Sequence, residues 1–180
     1  MKNKIPYSEA KTFAEKICNH IPCKSIICGS IRREAPMIGD IDIAVEDLES
    51  VDAELKKFSN YSRVSNINKK FDALIDGIQF NFYRGTHGAM LLFLTGNYQL
   101  NIHMRIAAKR KDLKLNQYGL WNEYDSLLSR DEEEIFTLLD LEYLLPTERN
   151  CNHYEFGTKN FGARALRRAY SLPSSEEEGL

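Results

Sequence analysis

Apolar positions along the chain recur in two rhythms, and the change from one to the other marks out the elements. Residues 8–21 place Ala10, Phe13, Ala14, Ile17 and Ile21 at helical spacing, with Ser8 as cap and Pro22 closing the run. Ser25–Cys28 is a short apolar strand that Gly29-Ser30 breaks, and Arg32 and Arg33 follow in a predicted helical turn. Ile41, Ile43 and Val45 then alternate with Asp40 and Asp42, the pattern of a half-buried strand. Helical spacing returns over 47–58 through Leu48, Val51, Leu55 and Phe58. Asp76-Gly77 lies between the alternating runs Phe71–Ile75 and Ile78–Tyr83, which predicts a tight hairpin. In its second strand Ile78, Phe80 and Phe82 share one face, and Gln79, Asn81 and Tyr83 the other. Helices over 86–94 and 97–111 are parted by Thr95-Gly96, and a small β region opens at Lys114 and runs through Trp121. Ser129 and Glu132 form a capping box for a further helix, whose first-turn acids need no ligand role. The reading ends with a short basic helix over Ala163–Tyr170 and a mobile tail over 171–180.

Composition narrows this picture. At 180 residues, 43% apolar and 28% charged, the chain holds one good core or two small subdomains sharing one. A net charge of −2 excludes a chain that is basic throughout, so nucleic-acid contact requires a local patch. Arg105, Lys109, Arg110, Lys111 and Lys114, against the single Asp112, supply one. A solvated helix end would look the same. No apolar run reaches membrane-span length and no signal-peptide core opens the chain, so an intracellular protein is expected. Cys18, Cys23, Cys28 and Cys151 lack zinc spacing and are expected as free thiols.

The chemistry concentrates in residues 26–43. Asp40 and Asp42 are two apart on a strand, so their carboxylates project from one face. Two carboxylates that close repel unless a cation lies between them, and oxygen-only ligation suits Mg²⁺ before Ca²⁺. The Gly29-Ser30 turn offers backbone N–H groups and a hydroxyl to an anion, and Arg33 adds a forked donor. Phosphate binders and a metal-binding pair on neighbouring strand ends fit a metal–nucleoside triphosphate.

The ordered set Gly29-Ser30-x-x-Arg33 … Gly39-Asp40-x-Asp42 resembles the signature of the nucleotidyltransferase superfamily, and Arg32-Arg33 with the spacer that follows is similar to its DNA polymerase beta branch, the X family. Phe93-Leu94-Thr95-Gly96 with Asn101 and Arg105 resembles the start of that family's C-terminal subdomain. Leu115–Leu120 is similar to the minimal members encoded by large DNA viruses, and Pro146–Arg149 to the closing segment. The resemblance covers residues 5–150. It implies an α+β fold: a palm over 1–94, built on a mixed β-sheet backed by helices, then a small α/β thumb-like subdomain over 95–170. It leaves no room for a lyase module, so lyase activity is not expected.

The resemblance implies a template-directed DNA polymerase of the repair type, adding a nucleotide to a primer 3′-hydroxyl on gapped or primer–template DNA. Two Mg²⁺ ions, for which Mn²⁺ can substitute, would sit on Asp40, Asp42 and the third metal position. Gly29, Ser30, Arg33 and Gly39 would hold the triphosphate of a dNTP. Phe93, Thr95 and Gly96 would lie under its sugar, and Asn101 would reach its minor-groove edge. Arg105, Lys109, Arg110, Lys111, Lys114 and Tyr118 would contact DNA. A monomer with no membrane contact is implied, with a DNA ligase or an AP endonuclease as possible protein partners.

One position departs from the pattern. Where the family carries a third carboxylate on the second hairpin strand, this chain has Asn81. An amide ligates only weakly and takes no proton near neutrality. Three readings stay open: a chain inactivated by substitution, a naturally weak or non-catalytic relative, and a site completed by another group. Asp76 is the nearest spare carboxylate, but its place in Asp76-Gly77 makes it a turn former first. The rivals to the polymerase are therefore a non-catalytic binder of DNA gaps and an untemplated nucleotidyltransferase.

Overall fold

The structure is a computed structural model that describes residues 4–65 and 67–150. The basic helix over 163–170, the tail over 171–180 and Cys151 lie outside the described residues. The centre of the fold is a five-stranded mixed sheet in the order β2-β4-β7-β6-β5. Its strands are β2 (Ser25–Ile27), β4 (Ile41–Val45), β5 (Tyr61–Arg63), β6 (Lys70–Ile75) and β7 (Ile78–Arg84). Only the β4–β7 pair is parallel. That geometry demands a long crossover between them. It is filled by helix α3 (Leu48–Leu55), β5 and β6.

Alternation explains which way each strand faces. Ile41, Ile43, Phe71, Ala73, Ile75, Phe80 and Phe82 are all buried and close over the same core as helix α1 (Tyr7–Cys18) and α3. The opposite face carries Asp42, Asp72, Gln79, Asn81 and Tyr83. The predicted hairpin forms with Ile75 opposite Ile78. Asp76 and Gly77 both take positive φ (51° and 78°), as a two-residue turn matched to strand twist requires.

Several expected boundaries shift, for local reasons. Helix α1 starts at Tyr7 with Pro6 at its N-cap, so Ser8 sits inside the first turn and does not cap it. Pro6 is paired with Met37 in a two-stranded ribbon, β1 (Ile5–Pro6) with β3 (Met37–Ile38), and its fixed φ lets the helix begin at once. Helix α3 is capped by Asp47, whose side chain accepts from the Ser50 N–H at 3.1 Å.

The C-terminal part follows helix α4 (Gly88–Thr95). It comprises helix α5 (Tyr98–Lys109), a three-stranded sheet of β8 (Lys114–Asn116), β9 (Gly119–Trp121) and β10 (Leu127–Ser129), helix α6 (Glu132–Leu138) and a 3-10 turn over Pro146–Asn150. The cap of α6 is Asp131, not Ser129: its side chain accepts from the Glu134 N–H at 2.9 Å. The Arg130 carbonyl is occupied by the Ala89 N–H, which keeps the chain extended past 129 and delays the helix. Leu92, Leu100, Met104, Leu120, Ile135 and Phe136 form a second core here. Between the two cores lies a small cluster of Cys28, Ala44, Met90 and Leu94, against which Tyr83, Phe93 and Tyr118 pack. Among the described residues no helix is long and apolar enough to cross a membrane.

Candidate functional site

Helix α4 and its apolar cluster cover one end of the sheet face opposite the core. At the other end Asp42 on β4 pairs laterally with Asn81 on β7, and Asn81 with Asp72 on β6. Asp40 lies in the bend leading into β4, half-buried like Asp42. The Asn81 amide nitrogen donates to Asp42 Oδ1 at 2.9 Å, while its oxygen accepts from Gln79 Nε2 at 2.8 Å. In this arrangement Asn81 offers Asp42 a donor where the family pattern has a charged acceptor. Half a turn of both amides would present oxygen to Asp42 and preserve the Gln79–Asn81 bond with its roles exchanged. The donor set of two carboxylates and an amide oxygen is hard and oxygen-only, which fits Mg²⁺ or Mn²⁺.

The bend at Gly29 completes the arrangement. Gly29 opens a four-residue helix, α2 (Gly29–Arg32), at φ +62°. A Cβ there would stand 2.2 Å from Asp42 Oδ2. Only glycine allows the backbone to lie on the carboxylate this closely. The Cys28 N–H donates to the Asp42 carbonyl at 2.8 Å, fixing the bend to the strand. Burial pushes the Cys28 thiol up to about 12, so it is inert beside the site. The Tyr83 phenol is also pushed upward, first by burial and then by the charges of Asp42, Asp72 and Asp40. Those three carboxylates therefore share one neighbourhood.

Arg32 and Arg33 both turn toward the C-terminal part. Arg33 Nη1 donates to the Thr95 carbonyl at 2.8 Å, and its Nε to Asn150 Oδ1 at 3.2 Å; Asn150 Nδ2 donates back to the Arg33 carbonyl at 2.7 Å. Arg32 donates to Thr95 Oγ1 at 2.9 Å and grips Glu132 with both Nη atoms at 3.1 and 2.7 Å. Arg149, fully buried, donates to Glu132 Oε1 at 2.6 Å, the oxygen that also accepts from Arg32 Nη1. Glu132 thus carries a structural load that helix-dipole reasoning did not find. Nothing in its sequence neighbourhood distinguished it from Glu133 and Glu134.

The turn expected under the sugar is held from both sides. Thr95 is buried beneath the two arginines. Asn101 Nδ2 donates to the Phe93 carbonyl at 2.9 Å, and Gly96 lies so close to Asn101 Oδ1 that a Cβ would meet it at 3.0 Å. Phe93, Asn101, Arg105 and Asn116 line one narrow crevice between α4, α5 and β8. The Arg105 guanidinium stands 5.8 Å from the Phe93 ring centre. Lys109 and Arg110 are exposed further along the chain. Lys111 bonds the Leu138 carbonyl at 3.0 Å and pairs with Asp140 at 2.5 Å, and Lys114 pairs with Asp125 at 3.6 Å. Tyr118 is half-buried in the intermediate cluster with the Lys69 ammonium 5.4 Å from its ring centre. Asp76, the spare carboxylate, accepts from Asn60 Nδ2 at 2.6 Å in the hairpin turn. Asp72, which sequence reasoning missed, was within reach of it: counting four residues each way from Asp76-Gly77 sets it opposite Asn81.

The family described as DNA polymerase beta thumb matches residues 90–150. DNA polymerase IV of Saccharomyces cerevisiae is 41% identical over 63 residues, which are 35% of this chain and 11% of the yeast protein. The chain therefore spans about a tenth of that relative's length. Repair DNA polymerase X of African swine fever virus is 29% identical over 143 residues, 70% of this chain and 82% of the viral protein. Among solved structures, Leishmania infantum polymerase beta in a ternary P/T complex superposes with a TM-score of 0.72 at 20% identity, covering 83% of this chain and 77% of that one.

Proposed function

We propose, from the premise that this chain is an X-family, polymerase-beta-like protein, that it is a template-directed DNA polymerase of the repair type. The reaction would join a dNMP to the 3′-hydroxyl of a primer in a gap or primer–template duplex and release pyrophosphate. The observation that carries the reading is the contact between the Gly29 bend and the Asp42 carboxylate. A triphosphate on that bend and a divalent cation on that carboxylate would occupy one place.

Each residue then has a task. Asp40 and Asp42 would hold Mg²⁺, with Asn81 as a weak neutral ligand through its amide oxygen. The bound ions would neutralise charge on the triphosphate and lower the pKa of the primer hydroxyl. Gly29, Ser30 and Gly39 would donate backbone or hydroxyl hydrogens to the phosphates. Arg33 ties that bend to the Thr95 carbonyl, so phosphates and sugar would be positioned by one rigid unit. Asn101, one helical turn before Arg105, would address the minor-groove edge of the new pair, and Arg105 the templating strand. Lys109 and Arg110 would contact backbone phosphates.

The same site favours one other reading through one contact. The Asn81–Asp42 hydrogen bond partly satisfies the carboxylate without a cation, as a silent gap-binding relative would require. Single-nucleotide insertion on a one-base gap, tested with each template base against each dNTP, separates the readings. The polymerase predicts product only with the complementary dNTP. Product independent of template base indicates an untemplated transferase, and gap binding without product in Mg²⁺ or Mn²⁺ indicates the binder.

A further inference from the structure

The row across the open sheet face contains a second carboxylate that the family pattern does not call for. Asp42, Asn81 and Asp72 are successive lateral neighbours on β4, β7 and β6. Laterally paired side chains project from the same face about 5 Å apart. The two carboxylates therefore flank the neutral amide with backbones roughly 10 Å apart. Lys70, two residues earlier on the same strand and face, holds Asp72 with contacts of 3.0 and 3.3 Å. The Lys70 side chain is half exposed (49%), whereas that of Asp72 is 21% exposed. Among the described residues no three acidic, histidine or cysteine side chains converge closely enough to hold an ion directly.

We propose that Asp72 supplies from β6 the negative charge that β7 lacks at Asn81, acting on the site's divalent cation through its water shell. The inference rests on the polymerase reading above. Lys70 is the resting counter-ion. A phosphate of bound DNA can draw that exposed ammonium away, leaving the charge of Asp72 to the cation when substrate is present. Asp72 is a positioning residue in this account, since water and Asn81 stand between it and the ion.

A charge role and a mere structural ion pair make opposite demands on Lys70, and this sets the experiment. Mn²⁺ binding is titrated by the paramagnetic signal of the free ion, with one-base-gapped DNA ended by a dideoxy primer and the complementary dNTP, so that no chemistry occurs. Thermal melts accompany each variant. Asp72→Asn is expected to weaken Mn²⁺ binding by about 10-fold, and Lys70→Met to strengthen it or leave it unchanged. In the Asn81→Asp background, where the charge is restored on β7, Asp72→Asn should have no more than about a 2-fold effect, the signature of coupled sites. Insertion rates with a normal primer should follow the same pattern. Equal loss from Asp72→Asn in both backgrounds, parallel loss from Lys70→Met, or no loss from Asp72→Asn overturns the inference, as does a failure of all five proteins to bind Mn²⁺. If Asn81→Asp inserts nucleotides while Asp72→Asn changes nothing, this inference falls and the polymerase reading stands. If no variant inserts the templated nucleotide, the polymerase reading itself falls.

Discussion

Glu132 lies between the guanidinium groups of Arg32 and Arg149 and is 7% exposed. Burial raises its pKa, but the hydrogen bond from Arg32 and the charge of Arg149 outweigh this and hold the carboxyl below its ordinary value. A depressed folded-state pKa contributes stability that is present above the unfolded pKa, near 4.3, and lost as pH falls through the lower folded value. Glu132→Gln should therefore flatten the acid limb of the stability curve below about pH 4, read by denaturant melts across pH. Glu132→Ala strands the buried Arg149 charge and should destabilise by about 3–5 kcal/mol. Glu133, the exposed acid next to it, should be near neutral when truncated in the same way. Gly29→Ala tests the other side of the site. Its Cβ would have to displace Asp42, and alanine resists the positive φ, so insertion should be lost even where the variant folds.

At the scale of elements, apolar runs, strand alternation and the Asp76-Gly77 turn made four of the five strands of the central sheet legible, down to the faces of Asp42 and Asn81, while the short edge strand β5 went unread. These signals are all local. What stayed hidden depended on contacts distant in sequence. The use of Arg33 on Thr95 and Asn150 spans 62 and 117 residues, and no local pattern announces it. The helix caps of α1 and α6 were misplaced because strand pairing at Pro6 and the Arg130 carbonyl overrides capping preference. Asp72 was countable from the hairpin but was passed over because it belongs to the strand beyond the expected one. The junction of α4 with α6 gives an element-scale test: a Cβ on Gly88 would meet the Glu132 backbone nitrogen at 2.4 Å. Backbone cannot yield as a side chain does, so Gly88→Ala should destabilise by about 1–3 kcal/mol in denaturant melts.

Over the whole molecule, two cores meet through the Met90–Leu94 cluster and the Arg32–Glu132–Arg149 network, with the Asp42 row open beside that junction. A chain of net charge −2 requires a concentrated patch to bind DNA, and within the described 105–114 segment Lys111 and Lys114 are paired with acids, so the proposed contact would fall on Arg105, Lys109 and Arg110. Removing Lys109 or Arg110 should lower the slope of log affinity against log salt by about 1 each, with little change in which nucleotide is inserted. Arg105→Ala should instead impair insertion more than binding. The central claim is that the Asp42 row, beside the Gly29 bend, performs templated phosphoryl transfer with a divalent cation. The most direct measurement is single-turnover insertion of the complementary dNTP into a one-base gap, with Mg²⁺ or Mn²⁺, for the chain and for Asp42→Asn. The account predicts product from the chain and a fall of at least about 10²-fold in Asp42→Asn, comparable to loss of a transition-state charge contact, with gap affinity retained. Equal rates in the two proteins, or no product from either with gap binding intact, would contradict it.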